Sequence, residues 1–284
     1  MKILVTGFKG FIGGQLFKYF GDIGYEVDGV DWEKGVLPDV KNYQWVIHCG
    51  AISDTTERDV NKVLKQNYDF TVKLLKVCNE HKTNIQLAST SAVYGPNKSF
   101  NENDPVYPQT PYAWSKYLVD KLLIDKIIKS YDIIVQSFRY FNVYGPGESH
   151  KGNQQSMISK FQEQARIDGE IKLFKNSNLY ERDLICVFDL CKVHEQMINK
   201  KISGIFNLGT GKTTNLEKIA KLIASLSGTK IRYIEMPENL KGQYQKYTCA
   251  DISKLNRFVS IENWTKVEEY LEHIFKEKNK NNLI

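Results

Sequence analysis

Several features are missing from this sequence, and each absence narrows the reading. No apolar run approaches the ~18 residues of a membrane-crossing helix, so no transmembrane segment is expected. The five cysteines (Cys49, Cys78, Cys186, Cys191, Cys249) are odd in number, widely spaced and form no Cys-x-x-Cys pair. A disulfide framework and a metal site are therefore not expected, and reduced thiols are. There is no internal repeat, low-complexity tract or long linker, and seven prolines in 284 residues exclude a proline-rich or collagen-like chain. Charge of one sign never accumulates over a face. The 39 Lys+Arg exceed the 33 Asp+Glu by only six, and much of the local excess lies in the tail from Lys276 to Asn282, which reads as a solvated end. Without a basic stripe or a known module, nucleic-acid binding is not expected. The opening MKILVTG begins like a signal peptide, but glycines interrupt its apolar core. A cytoplasmic location without membrane association is expected.

What is present is an ordinary globular composition, 42% hydrophobic and 25% charged, with length for about two domains. Short β-branched runs alternate with longer amphipathic stretches. Strands are expected at Ile3 to Thr6, Val27 to Val30, Trp45 to Cys49, Ile85 to Ala88 and Ile133 to Phe138. Between them, helices are expected at Phe11 to Phe20, about Asp59 to Glu80, and Tyr112 to Lys129. This order predicts an α/β fold, a doubly wound parallel sheet with helices on both faces. Further helices are expected near Met157 to Arg166, Leu190 to Asn199, Leu216 to Leu226 and Val267 to Lys276, with short strands between them. The expected organisation is a dinucleotide-binding domain over 1–145, to which the chain returns near 183–207, and a smaller mixed α/β substrate lobe over 146–284.

The first strand runs into Gly7-Phe8-Lys9-Gly10-Phe11-Ile12-Gly13, a GxxGxxG turn that opens a helix. Glycines there permit a tight turn and close approach of backbone to a pyrophosphate, and the free N–H groups of the helix start attract the anion. The next strand ends at Asp31, where an acid can hydrogen-bond a ribose. Downstream, Thr110-Pro111-Tyr112 reads as a helix start with a capping hydroxyl and a proline at the first position. Tyr112 and Lys116 then lie one turn apart on one face, and an adjacent ammonium together with an oxidised nicotinamide would favour a phenolate, a usable base. The strand Ile85 to Ala88 ends in Ser89-Thr90-Ser91, which brings a hydroxyl to the carboxyl edge of the sheet. His48 and His194 read as packing residues.

These segments, with HCGA at His48 to Ala51, Asn67, STSAVYG ending at Tyr94-Gly95, and RYFNVYGP from Arg139, resemble the extended short-chain dehydrogenase/reductases over nearly the whole chain. That is the group of nucleotide-sugar epimerases and dehydratases, with a Rossmann fold. The resemblance implies Tyr112 as the acid/base, Lys116 as the group orienting ribose and nicotinamide, and Thr90 as the catalytic hydroxyl. It also implies cofactor contacts from Gly7, Gly10, Phe11, Ile12, Gly13, Asp31, Trp32, Cys49, Gly50, Ala51, Asn67, Lys116 and Val143. The segments ESHKG from Glu148, Arg182-Asp183, GIFNLGTG from Gly204 and LKGQYQKYTCAD from Leu240 resemble the ADP-glycero-manno-heptose 6-epimerases. By that resemblance Lys151 is a second acid/base residue, kept partly deprotonated by Lys116 and the cofactor charge. Asn142, Asn153, Lys160, Phe174, Arg182 and Tyr244 become substrate contacts. For Arg182 an ion pair with Glu181 or Asp183 is an alternative, and for Tyr244 a core position.

Two departures from that pattern stand out. The stretch between Asp31 and Trp45 is too short for the usual third strand and its helix together, and offers only Lys34 and Lys41 as cations near the adenosine. The resemblance implies NADP, whereas an acid at Asp31 alone favours NAD. Asn153 and Lys160 stand where the subfamily has serine and histidine, which keeps other nucleotide-activated heptoses or hexoses open. A nucleotide-hexose 4-epimerase is the alternative activity. A 4,6-dehydratase is disfavoured because Ser91-Ala92 replaces the expected Asp-Glu pair, and a non-catalytic cofactor sensor because Tyr112 and Lys116 are both present. The resemblance further implies a nucleotide-diphosphate sugar as partner and a homo-oligomer, a pentamer if the chain follows the subfamily.

Overall fold

The computed structural model describes residues 1–31, 35–125, 130–238 and 245–281. A six-stranded parallel sheet is built from β1 (Lys2–Thr6), β2 (Glu26–Val30), β3 (Trp45–His48), β4 (Asn84–Thr90), β5 (Val135–Tyr140) and a later strand, β10 (Gly204–Leu208). Its order is β10-β5-β4-β3-β1-β2, so the direction of winding reverses between β1 and β3. Ligands of open α/β sheets bind outside the carboxyl ends of the strands at such a reversal. The register aligns Thr6 with His48 and Thr90 with Tyr140, which brings the loops after β1, β3, β4 and β5 to one edge.

Helix α1 (Phe11–Asp22) and α6 (Val187–Ile198) cover one face of the sheet, where Leu16, Phe20, Leu190 and Val193 pack on Ile3, Val5, Ile47 and Phe138. The other face is covered by α3 (Phe70–Glu80) and α4 (Pro111–Ile124), through Phe70, Leu74, Leu75, Cys78 and Val119. The long helix expected from Asp59 begins as α2 (Val60–Val63), capped by the Asp59 carboxylate, and passes through a π-helical segment, Leu64–Asp69, before α3. Helix α4 starts as its sequence dictates, with the Thr110 hydroxyl accepting from Ala113 N at 3.1 Å and Pro111 at the first position. It ends at Ile124, and residues 126–129 of the expected helix lie outside the described residues.

The described residues between β2 and β3 contain neither strand nor helix, consistent with the shortness of that stretch, and Val40 from it packs into the core beneath α3. A second hydrophobic cluster lies apart from the sheet. It joins α5 (Met157–Ile167), α7 (Leu216–Ser227) and α8 (Val267–Asn281) to the parallel pair β7 (Glu170–Phe174) and β12 (Lys230–Ile234). Short pairings complete the fold. Strand β6 (Val143–Tyr144) lies beside β9 (Ile185–Cys186), while β8 (Glu181–Arg182) lies between β11 (Thr214–Asn215) and β13 (Tyr247–Thr248). Among the described residues, no helix is long and apolar enough to cross a membrane.

Candidate active site

At the carboxyl edge of the sheet a cavity of about 670 Å³ is walled by the glycine turn, the loops after β3 and β4, α4, and the segment that follows β6. It continues into a second cavity of about 910 Å³ bounded by α5, β7 and α7, the two sharing Thr55, Gln154, Gln155, Met157 and Leu216.

The glycine turn is shaped to admit a dinucleotide. A Cβ at Gly7 would stand 2.6 Å from Gly50 N and one at Gly13 only 2.2 Å from Gly7 O, so side chains there would drive strand, turn and helix apart. Helix α1 begins at Gly10 with no side-chain cap and no acid in its first turn. Its N–H groups and dipole therefore suit a pyrophosphate. Gly7, Gly10, Phe11, Ile12, Gly13, Cys49, Gly50, Ala51 and Val143 all line the first cavity, as expected, and Asp31 lies at its far end. Lys9, from within the turn, places its ammonium 3.8 Å from the Asp31 carboxylate. Of the two expected cations, Lys41 is not on the wall, and Lys34, like Trp32, lies outside the described residues.

Asn67 differs from its expected role. It is buried and off the wall, its amide exchanging hydrogen bonds with Ile52 N (2.8 Å) and Ile52 O (2.9 Å) and donating to Ser115 Oγ at 3.0 Å. Ser115 in turn donates to Tyr112 O. Asn67 thus ties the loop carrying Cys49 to Ala51 to the helix carrying Tyr112.

Tyr112 and Lys116, paired by their spacing, and Thr90, implied by the resemblance, all line the first cavity. Burial pushes the Tyr112 phenol up, and a hydrogen bond with Thr90 pulls it back. Burial also lowers Lys116 to about 8, against the opposing influence of Cys49 and Asp120. Burial, rather than the neighbouring ammonium, thus dominates the phenol. Ser89, beside Thr90, also lines the cavity, but its hydroxyl donates to the buried Asp120 at 3.1 Å.

Lys151 lines the same cavity from another element, the segment after β6, its ammonium 5.3 Å from the Phe11 ring centroid. Burial lowers its pKa while Glu148, 3.7 Å away, raises it. Lys116, expected to hold Lys151 partly deprotonated, is not among the groups acting on it.

The remaining substrate candidates divide between the cavities. Asn142 and Arg182 line the first. The Asn142 amide donates to Asp183 O (2.8 Å) and Thr248 Oγ1 (3.1 Å), which leaves its oxygen for a ligand. Phe174 and Lys160 line the second, with burial lowering Lys160. The side chain of Asn153 and all of Tyr244 lie outside what the structure describes. Arg182 Nη1 donates to Glu181 O at 3.0 Å, and the neighbouring Asp183 carboxylate accepts from Thr210 N, Gly211 N and Ala250 N at 2.8, 2.9 and 3.0 Å. It thereby gathers the RD, NLGTG and TCAD segments around one buried acid. His48 and His194 are buried packing residues, each held by burial near a pKa of about 3.

Sequence reasoning missed several wall residues. Tyr140 projects from the end of β5, and Thr55, Gln154, Gln155 and Gln245 come from loops. Tyr140 sat within the quoted RYFNVYGP segment and its strand-end position was a usable signal, whereas the loop residues carried none.

Comparison with known proteins agrees with this geometry. An ADP-L-glycero-D-manno-heptose-6-epimerase of Brachyspira hyodysenteriae is 34% identical over 287 residues, spanning 89% of this chain and 90% of that protein. The UDP-N-acetylglucosamine 4-epimerase of Methanobrevibacter ruminantium shares the fold with a TM-score of 0.86 and 22% identity, over 99% of this chain and 98% of that one. The ADP-L-glycero-D-manno-heptose-6-epimerase of Helicobacter pylori shares it with a TM-score of 0.84 and 24% identity, over 98% and 96%. The family model of the NAD dependent epimerases and dehydratases matches residues 3–209, most of the chain, including the glycine turn, Thr90, Tyr112 and Lys116, and the chain belongs to that family.

Proposed function

We propose that this protein is a nucleotide-sugar epimerase that inverts an alcohol carbon by transient oxidation to the ketone and re-reduction, and that its substrate is ADP-glycero-manno-heptose, inverted at C6. The observation that carries the reading is the meeting of Tyr112 and Lys151 in one cavity from different elements, α4 and the segment after β6. An epimerase of this kind exchanges a hydride at the two faces of one carbon and must take a proton from, and return one to, the alcohol oxygen in two orientations; a base on each of two elements meets that requirement.

A nicotinamide dinucleotide held by the glycine turn, Asp31 and Lys116 supplies a hydride acceptor that returns the same hydride. The protein's own part is proton handling. With Tyr112 as phenolate and Lys151 as ammonium the site accepts a proton from one epimer, and with phenol and amine it accepts one from the other. The two arrangements carry the same total number of protons, so one proton shared between the two residues serves both directions. The pH optimum belongs to the pair rather than to either residue. The Thr90 hydroxyl steadies the alcohol oxygen beside Tyr112. In this reading residues 1–145 with the returning 183–207 stretch hold the dinucleotide, and the remainder seats the sugar nucleotide, its diphosphate near Arg182 and Lys160. Lys9 offsets the Asp31 carboxylate, which supports NADP as the dinucleotide. A homo-oligomer is the proposed assembly, to be read by sedimentation.

The test is to incubate the purified protein with ADP-D-glycero-D-manno-heptose and follow the C6 configuration by NMR without added dinucleotide. Inversion is expected. Absence of inversion, with inversion at C4 of a nucleotide hexose instead, would replace the proposed substrate by the 4-epimerase alternative.

A further inference from the structure

Glu148, three residues before Lys151, is among the most deeply buried carboxylates of the described residues, at 2% exposure. Its Oε1 accepts from Ser156 Oγ at 2.7 Å, Ser159 Oγ at 2.8 Å and Gly145 N at 3.3 Å. Its Oε2 accepts from Ser156 N at 2.6 Å and faces the Lys151 ammonium at 3.7 Å. One side chain thereby fastens the end of β6 and the N-terminus of α5 to each other, with Lys151 on the segment strung between them. Gly152, at φ +49° and ψ −123°, lets the chain turn sharply just after Lys151, a conformation that a residue with a Cβ adopts only under strain. The Phe11 ring of α1 closes the far side of the lysine.

Resting on the assignment of Lys151 as second base, we propose that Glu148 is the positioning residue for Lys151, holding its amine against the cavity wall and setting its charge. The titratable groups facing Lys151 are Glu148 from its own segment and Lys160 from α5, while α1 presents only the Phe11 ring. Glu148 raises Lys151, and the Lys151 charge in turn lowers Lys160. A buried carboxylate favours the ammonium, and a second ammonium favours the amine.

The experiment compares kcat against pH for the wild type, Glu148→Gln, Lys151→Met and the double variant, with folding checked by thermal unfolding. Lys151→Met alone tests the base assignment: an unchanged rate there refutes Lys151 as a base, whatever Glu148 does. Given a loss in Lys151→Met, Glu148→Gln is expected to lower the plateau of kcat at least tenfold. It is also expected to move the acidic limb to lower pH, since removing the carboxylate leaves Lys151 easier to deprotonate. In the Lys151→Met background the same change should alter kcat less than about twofold, because residues acting through one another are not additive. An equal loss in both backgrounds, or an unmoved acidic limb, would make Glu148 a scaffold residue only and overturn the proposal. If Glu148→Gln does not fold, Ser159→Ala, which removes one donor from Oε1, carries the test with the same Lys151-dependent loss expected and the same equal loss overturning it.

Discussion

Arg139 Nε donates to Asp120 Oδ2 at 2.8 Å with both side chains fully buried, one helical turn below Lys116 on the tyrosine-bearing helix. Ser137 and Ser89 complete the shell of Asp120, and Arg139 Nη1 donates to Tyr94 OH at 3.0 Å. The pair is thus the floor on which the catalytic wall stands. Its carboxylate also opposes the loss of charge at Lys116.

Removing one member leaves the other charged in the core. Asp120→Asn is expected to cost about 3–5 kcal/mol of stability, the range for breaking a buried pair. Ser137→Ala, which deletes a neutral donor, should cost about 1 kcal/mol. Urea titration of the two variants reads the difference, and equal costs would show that the pair is not charged in the folded state.

Tyr112→Phe retains the ring and loses the proton acceptor. Turnover should fall by three orders of magnitude or more while the purified variant keeps its dinucleotide, measured as cofactor released per subunit on denaturation. Near-normal turnover would remove Tyr112 from the chemistry.

Gly13→Ala places a methyl group where Gly7 O stands 2.2 Å away, a backbone atom that cannot swing aside. Loss of bound dinucleotide is expected together with a lowered melting temperature. Gly21→Ala in the same helix meets nothing within 4 Å and should retain both. A variant at position 13 that binds as well as the wild type would show that the turn can rearrange.

Lys116 gives the unliganded protein a characteristic pH dependence. Its folded pKa is depressed to about 8 by burial, so between about pH 8 and its ordinary value of 10.5 the unfolded chain binds a proton that the folded chain does not. Stability relative to a Lys116→Met variant should therefore rise with pH through that window, by up to about 3 kcal/mol at 1.36 kcal/mol per unit. Denaturant titrations at pH 7.5 and 10 check the sign, and a fall over this range would contradict the burial argument.

At the adenosine end, Lys9→Ala should weaken NADP more than NAD, because it removes the ammonium that offsets Asp31. Fluorescence titration with each reduced dinucleotide measures the ratio. An equal loss for both would move the selecting residue elsewhere.

The glycine turn, the Thr110 cap and the Tyr112/Lys116 pair were legible in the amino-acid sequence because each is a matter of local geometry: a tight turn, a first helical turn, a repeat of four residues. The alternation of strand and helix determined the parallel sheet for the same reason, since hydrophobic period reports what each element can bury. Tertiary structure decided the rest. It moved Asn67 from the cofactor wall to a strut behind it, and put Phe174 and Lys160 in a second cavity. It brought Lys9 to Asp31 in place of Lys41, gathered three distant segments on Asp183, and set Lys151 and Lys116 in one cavity from different elements. None of these follows from spacing along the chain. Each depends on which loops the strand order brings to one edge of the sheet, and on which polar groups must find partners once that edge is buried.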